Sequence, residues 1–66
     1  AYTDFFTERE KDIIKEIEKG FTNGSISENL NISKYTVETH RKNIFKKSKQ
    51  HNTKDLLNFC KRKGII

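Results

Sequence analysis

One uninterrupted segment, from Ser33 to Lys49, most restricts what this chain can fold into. It contains neither Gly nor Pro, so nothing in it favours a turn or a break. The Ser33 hydroxyl can accept a hydrogen bond from a free backbone N–H of a first helical turn, which makes it a good N-cap. We therefore predict a helix of about four turns over residues 34–48.

This predicted helix has a narrow apolar side and a broad polar side. Val37 and Ile44, with His40 or Arg41 between them, recur at helical spacing and can pack on a core. The opposite side carries cations, a carboxylate, a hydroxyl and an aromatic ring: Tyr35, Glu38, Thr39, Lys42, Lys46 and Lys49. Such a face can contact base edges and phosphates of DNA. The alternative is a basic face that is only solvated, and the rest of the chain has to decide.

The length of 66 residues allows one small domain with a limited core. Cys60 is the only cysteine, so no disulfide forms within the chain, and a single free thiol suits the reducing cytoplasm. Two histidines and one cysteine without zinc-ligand spacing predict no metal site, and nothing predicts a cofactor. No apolar run is long enough for a membrane span. Because methionine is absent, including at position 1, we expect a piece of a longer protein or a processed product.

Charge is distributed unevenly along the chain. Residues 1–33 hold four basic and seven acidic side chains, whereas residues 34–66 hold ten basic and two acidic ones, giving the net charge of +5. A second half this basic predicts a polyanionic partner, and nucleic acid is the first candidate. An anionic membrane surface is the second, but no segment combines the basic face with a broad apolar one.

The remaining segments predict three more helices and no strand. Residues 1–6 read as a short lead-in, and Thr7 followed by Glu10 has the spacing of a capping box. We expect an all-α, compact four-helix domain over residues 1–66, with helices at about 7–19, 23–30, 34–48 and 53–63. The second and third of these form a helix-turn-helix outline.

Each of these three helices has its own cap and apolar residues. The first is expected to bury Ile13, Ile14 and Ile17, with Phe21 just beyond its end at Gly20. The second is capped by Thr22 or Asn23 and has Ile26 and Leu30 as its apolar pair. The fourth is capped by Asn52, buries Leu56, Leu57 and Cys60, and is followed by residues 65–66, which can fold back on the core.

The spacing of these residues resembles a known family. The pattern consists of Phe6-Thr7-x-Arg9-Glu10, Gly20-Phe21-Thr22-Asn23, Ile26, Leu30, Ile32-Ser33, Thr36-Val37-x-x-His40, Asn43-Ile44 and Lys47. It is similar to the LuxR-type helix-turn-helix, the DNA-binding output domain of many bacterial transcription regulators, including the NarL/FixJ class of response regulators. The similarity extends over residues 5–66.

This resemblance implies a function and a set of contacts. It implies sequence-specific binding of double-stranded DNA, with the third helix in the major groove and Glu38, Thr39 and Lys42 as base-reading residues. The residues expected at the DNA backbone or near the groove are Asn23, Lys34, Tyr35, Thr36, Lys46 and Lys49. The fourth helix is expected to form a homodimer on DNA around Leu57, Cys60 and Lys61. RNA polymerase is a further candidate partner.

The chain departs from the family pattern at several places, including Ser27 where Ala is usual and Lys49-Gln50 where Gly and Val are usual. Gly24 and Ser25 replace a basic residue and a Glu, so a second capping box and one phosphate-facing cation are missing. Ser48 replaces a Leu at the end of the third helix, where we expect a less apolar and looser connector. Glu38 stands at a position that is often Lys or Arg, and its carboxylate can accept a hydrogen bond from a cytosine amino group.

Glu38 and His40 have roles to consider besides DNA contact. Glu38 could pair with Lys42, Lys34 or Arg41 instead of a base. His40 is expected to pack on the inner side and donate one hydrogen bond.

Two other classes of function are an enzyme and a protein-interaction module. An enzyme is not expected, because the chain has no nucleophile–base–acid set, no phosphate-binding Gly loop and no metal ligands. A helical protein-interaction module that binds an acidic partner remains the alternative, and it would need an exposed apolar groove.

Overall fold

The computed structural model describes residues 5–66, and within them it contains four helices and no strand. They are α1 (Glu8–Glu18), α2 (Asn23–Leu30), α3 (Lys34–Ser48) and α4 (Thr53–Arg62). The predicted all-α class and the four helices are confirmed, and no predicted boundary differs from the observed one by more than one residue. The predicted lead-in at residues 1–4 lies outside the described part of the chain.

Every helix begins at a side-chain cap, which explains why its start could be read from the sequence. Each cap oxygen accepts a hydrogen bond from the backbone N–H three residues later, at 2.9 to 3.2 Å. The four caps are Thr7, Thr22, Ser33 and Asn52. Such a bond satisfies one of the free N–H groups of the first turn and contributes about 1 kcal/mol to stability.

The capping box predicted for α1 is present, and the one expected to be missing from α2 is absent. Glu10 returns the bond to Thr7, whose N–H lies 2.9 Å from Glu10 Oε1. In α2 the Ser25 side chain makes no such bond to the Thr22 backbone. Instead, Thr22 Oγ1 donates to Ser25 Oγ at 3.3 Å.

Within the described residues, helices α1 and α3 form the centre of the fold, since each of them contacts all three other helices, whereas α2 and α4 do not contact one another. The inward side chains Val37 and Ile44 of α3 are fully buried. They join a core contributed by every helix and by Phe6, which precedes the cap of α1; its other members are Ile13, Ile14, Ile17, Ile26, Leu56 and Cys60. Residues 65–66 pack against this core, as expected. Asn31, with φ of 55°, makes the turn between α2 and α3 in the left-handed conformation that Asn tolerates.

The aromatic residues before α1 belong to the core, and the lead-in interpretation was wrong for them. Phe6 is only 3% exposed. The Phe5 ring lies 4.9 Å from the Phe6 ring, edge to face, and 5.9 Å from the ring of Phe59 in α4. Phe21 is 42% exposed instead. The Phe5–Phe59 contact joins residues far apart in the chain, so local spacing did not indicate it.

A buried ion pair joins the first turn of α1 to the last turn of α3. Lys47 Nζ lies 2.7 Å from Glu10 Oε1, and the side chains are 38% and 4% exposed. The other ion pairs among the described residues link neighbours three apart on α1. A surface pair such as Arg9–Asp12 contributes about 0–1 kcal/mol, whereas a hydrogen bond to a buried charge contributes about 1.5–3 kcal/mol. Among the described residues, the Glu10–Lys47 pair is the ion pair that joins two helices, and Asn29 of α2 adds a hydrogen bond of 2.7 Å to the buried Glu16 of α1.

The environment of Glu10 favours its charged form. Burial by itself would raise the pKa of this carboxyl. The hydrogen bonds from Lys47 and Thr7, and the positive charges of Lys47 and His40, outweigh that effect and hold the pKa below its ordinary value of 4.5.

The end of α3 is polar, as expected, and its polar groups are hydrogen-bonded. Ser48 is buried, and its hydroxyl lies 2.9 Å from the Ile44 carbonyl and 3.3 Å from that of Phe45. Gln50 Nε2 donates to the Ser48 carbonyl at 3.1 Å. Lys49 ends the helix in the left-handed conformation, with φ of 59°. The buried Ser48 hydroxyl is thus satisfied by carbonyl groups of its own helix.

The Glu10 environment predicts a pH-dependent contribution to folding. Because the pKa of Glu10 is lowered in the folded state, its stabilisation is complete above the ordinary pKa and is lost as pH falls through the folded-state pKa. A Glu10→Gln variant should unfold with about 1.5–3 kcal/mol less free energy at neutral pH. Its deficit relative to wild type should shrink in acid, which urea unfolding at a series of pH values measures.

The matched control is Glu18→Gln, since Glu18 is exposed on the same helix and has no ion pair among the described residues. It should change stability by less than about 0.5 kcal/mol. A Glu10→Gln deficit that stays constant down to acid pH would contradict the assigned role of the pair.

Candidate nucleic-acid interface

The polar side of α3 forms one exposed stripe on the surface. On an ideal helix its members fall within an arc of about 100°, and all of them are exposed in the structure. We call this set the outer stripe: Tyr35, Glu38, Thr39, Lys42 and Lys46. Tyr35 is 77% exposed, the most exposed large apolar residue of the described chain.

The charges of the outer stripe have no partner within the described residues. Glu38 forms no ion pair with Lys42, Lys34 or Arg41, so the intramolecular alternative for this carboxylate is not realised. Arg41 instead lies over the ring of Phe45, with 6.0 Å from its guanidinium carbon to the ring centroid. Burial lowers the pKa of Arg41, yet a guanidinium stays protonated in proteins. Glu38 and Lys42 thus remain available to an external ligand.

Two hydroxyl groups near the start of α3 are already hydrogen-bonded within the helix. Thr39 Oγ1 donates to the Tyr35 carbonyl at 3.0 Å. Thr36 Oγ1 lies 2.8 Å from Ser33 Oγ, and the Thr36 N–H donates to the same oxygen at 3.0 Å. Thr36 is also half-buried, which leaves it less free for an external contact than Thr39.

The first turns of α2 and α3 lie close together, with Lys34 between them. A Cβ atom added to Gly24 would lie 3.9 Å from Lys34 Cε. Neither helix has an acidic residue in its first turn, whereas α1 has Glu8 and Glu10 and α4 has Asp55. Helix N-termini carry partial positive charge, so this corner of the molecule is electropositive and has no internal carboxylate to balance it.

Three lysines at the end of α3 face different surroundings. Lys46 and Lys49 are exposed and have no ion pair among the described residues. Lys47 turns to Glu10 and is held there. The basic run thus contributes two free cations and one structural cation.

His40 is half-buried on the inner side, as expected, but its predicted hydrogen bond is absent from the described residues. His40 instead acts on Glu10 electrostatically, and this helps to lower the pKa of that carboxyl.

The residues expected at a dimer interface differ in exposure. Leu57 is half-buried and Lys61 is exposed, but Cys60 is completely buried in the core. Burial raises the pKa of the Cys60 thiol to about 11, so at neutral pH it is protonated and a poor nucleophile. Cys60 can therefore contribute to an interface on α4 only by packing beneath the residues that contact the partner.

The sequence interpretation overlooked two features of this surface. Asn43 is exposed at the edge of the outer stripe, one turn after Thr39. Its spacing of four residues from Thr39 was the available signal. The proximity of Lys34 to Gly24 had no such signal, because it depends on how α3 packs against α2.

The described residues provide neither a metal-binding cluster nor a helix that could span a membrane. They contain no group of three or more His, Cys, Asp and Glu side chains arranged to hold a metal ion. None of their helices has the length and hydropathy needed to cross a membrane.

Comparison with known proteins identifies relatives among bacterial regulators. The chain is 42% identical over 59 residues to the uncharacterized response regulatory protein YgeK of Escherichia coli, covering 89% of this chain and 40% of YgeK. It is 41% identical over 64 residues to the transcriptional regulatory protein MctR of Rhizobium johnstonii, covering 97% and 30% of the two chains. The transcriptional regulatory protein ComA of Bacillus subtilis is 35% identical over 63 residues, which cover 96% and 29%.

The chain thus spans well under half the length of these relatives. No solved structure matches it at comparable significance. The family described as bacterial regulatory proteins, luxR family, matches residues 4–60, and four helices with a helix-turn-helix are the fold expected for it. The chain therefore belongs to the luxR family of bacterial regulatory proteins, a family of DNA-binding transcription regulators.

Proposed function

We propose that this domain binds double-stranded DNA sequence-specifically for transcription regulation, with α3 in the major groove. The observation that carries the proposal is the outer stripe, whose charged groups are exposed and form no ion pair among the described residues. Glu38, Thr39 and Lys42 lie in the middle of this stripe and contact base edges. A carboxylate accepts from cytosine or adenine amino groups, and a lysine donates to guanine.

The cations around the outer stripe contact phosphates. Lys34 and Asn23 lie at the electropositive corner formed by α2 and α3, and Lys46 and Lys49 lie at the other end of α3. Tyr35 and Thr36 lie near the groove. These contacts position the domain along the duplex, and base contacts supply the sequence preference.

The small size of the domain favours binding as a dimer. A single module buries about 600–1,000 Å² on DNA, which is about a fifth of the 4423 Å² surface. We place the homodimer contact on α4, with Leu57 and Lys61 at the surface and Cys60 beneath them. RNA polymerase is a further partner of the whole regulator, which acts in the cytoplasm on bacterial DNA.

Selection from random duplexes tests the DNA-reading role. Wild type should enrich one sequence, and Lys42→Ala should bind that sequence about 10–100-fold more weakly and lose preference at one base pair. Lys15→Ala is the control, since it removes an exposed cation from α1. An absence of any enriched sequence, or a Lys42→Ala variant that binds as well as wild type, would contradict the proposal.

We expect Lys34 to lower the folding stability of the free protein and to raise its affinity for DNA. Its ammonium lies at the positive ends of two helices without an acidic partner. Lys34→Ala should therefore unfold at equal or higher urea concentration than wild type, with a gain of up to about 1 kcal/mol, but bind DNA more weakly.

Lys46→Ala is the matched control, because Lys46 lies in the last turn of α3, where a cation is stabilising. It should lower both stability and DNA affinity. The proposed role of Lys34 fails if Lys34→Ala loses stability or keeps full affinity and salt dependence.

The dimer proposal is tested on the selected site with one or two half-sites. Lys61→Glu should bind a single half-site with little change but lose the tighter binding to the paired site, as seen in mobility shifts and sedimentation. Arg62→Glu makes the same charge change about 100° around the helix and should keep the paired-site advantage. Equal losses in both variants would argue against an interface at Lys61.

A further inference from the structure

We propose that Thr39 reads DNA through its methyl group, and that its hydroxyl is not a donor to a base. This inference rests on the proposed function, since it requires α3 to lie in the major groove. It assigns to one side chain a chemical preference that the residue type alone leaves open, because threonine can offer a donor, an acceptor or a methyl group to a base.

The hydroxyl hydrogen of Thr39 is already used inside the helix. Thr39 Oγ1 lies 3.0 Å from the Tyr35 carbonyl oxygen, and a carbonyl can only accept, so the threonine is the donor. A hydroxyl has one hydrogen. Donating to a base would therefore require Thr39 to give up this bond.

The groups that Thr39 still offers outward are its γ-methyl and the lone pairs of its oxygen. Thr39 is exposed in the middle of the outer stripe, one turn after the exposed Tyr35. Its neighbour Glu38 is a carboxylate and can only accept. Glu38 and Thr39 thus present acceptors and a methyl group, and the donors beside them on the stripe are the Tyr35 hydroxyl, one turn before Thr39, and the Lys42 ammonium, about one turn after it.

In the major groove this combination matches thymine better than a base without a methyl group. The C5-methyl of thymine is the apolar feature of the major-groove edge, and a threonine methyl is among the groups that contact it. Burying one methyl group from water corresponds to about a fourfold change in affinity. We therefore expect one thymine of the site to owe about that much of its preference to Thr39.

Removing one chemical group at a time from Thr39 and from the thymines of the DNA tests this inference. The site selected by wild type is synthesised with each thymine replaced in turn by deoxyuridine, which removes only the C5-methyl. Affinities are measured by fluorescence anisotropy for wild type, Thr39→Val, which keeps the methyl and lacks the hydroxyl, and Thr39→Ser, which keeps the hydroxyl and lacks the methyl. Circular dichroism verifies that each variant is folded.

At one thymine, removal of the base methyl should weaken wild type about fourfold, and Thr39→Val should show the same ratio. Thr39→Ser should show a ratio near one at that position. The inference is overturned if Thr39→Ser keeps the wild-type ratio at every thymine, or if Thr39→Val loses it. A wild-type domain that enriches no sequence would overturn the proposed function as well, whereas an enriched sequence with no Thr39-dependent thymine overturns this inference alone.

Discussion

Glu10 is the buried carboxylate on which the placement of α3 depends. Its Oε1 accepts from the Thr7 backbone and from Lys47, so one oxygen caps α1 and ties it to the end of α3. Burying a carboxylate costs several kcal/mol unless its partners are in place. The first turn of α1 and the last turn of α3 therefore have to meet in one arrangement, and this fixes the direction in which the opposite side of α3 points.

The charged groups on that opposite side form no ion pair among the described residues. Lys47 is neutralised by Glu10, but Glu38, Lys42 and Lys34 have no ion pair in the described structure. A cation at the start of α3 works against the helix dipole, so its position favours an external anion over the stability of the free domain. Local arrangements that cost stability without an internal benefit are expected at functional surfaces. The polyanion suggested by the uneven charge of the two halves fits this surface.

The sequence predicted the four helices and the face that carries the candidate site, because both depend on neighbours three or four residues apart. Thr7, Thr22, Ser33 and Asn52 each cap a helix through a bond to the third residue along. The same periodicity placed Val37 and Ile44 inside and the outer stripe outside. It failed for Phe5 and Phe6, because their packing on the core and on Phe59 joins residues far apart in the chain. It also failed for the hydrogen bond of His40, which is absent among the described residues.

The sequence by itself therefore determined the helix boundaries, the two sides of α3 and the family resemblance. Only the tertiary structure decided which of its polar groups are free. Lys42 and Lys47 are both lysines of one helix, yet Lys47 is held by a carboxylate 37 residues earlier and Lys42 is not. The proximity of Lys34 to Gly24 and the burial of Cys60 also depend on how the helices pack together. Caps and faces arise from local hydrogen bonds and periodicity, whereas pairing and burial depend on how separate helices pack.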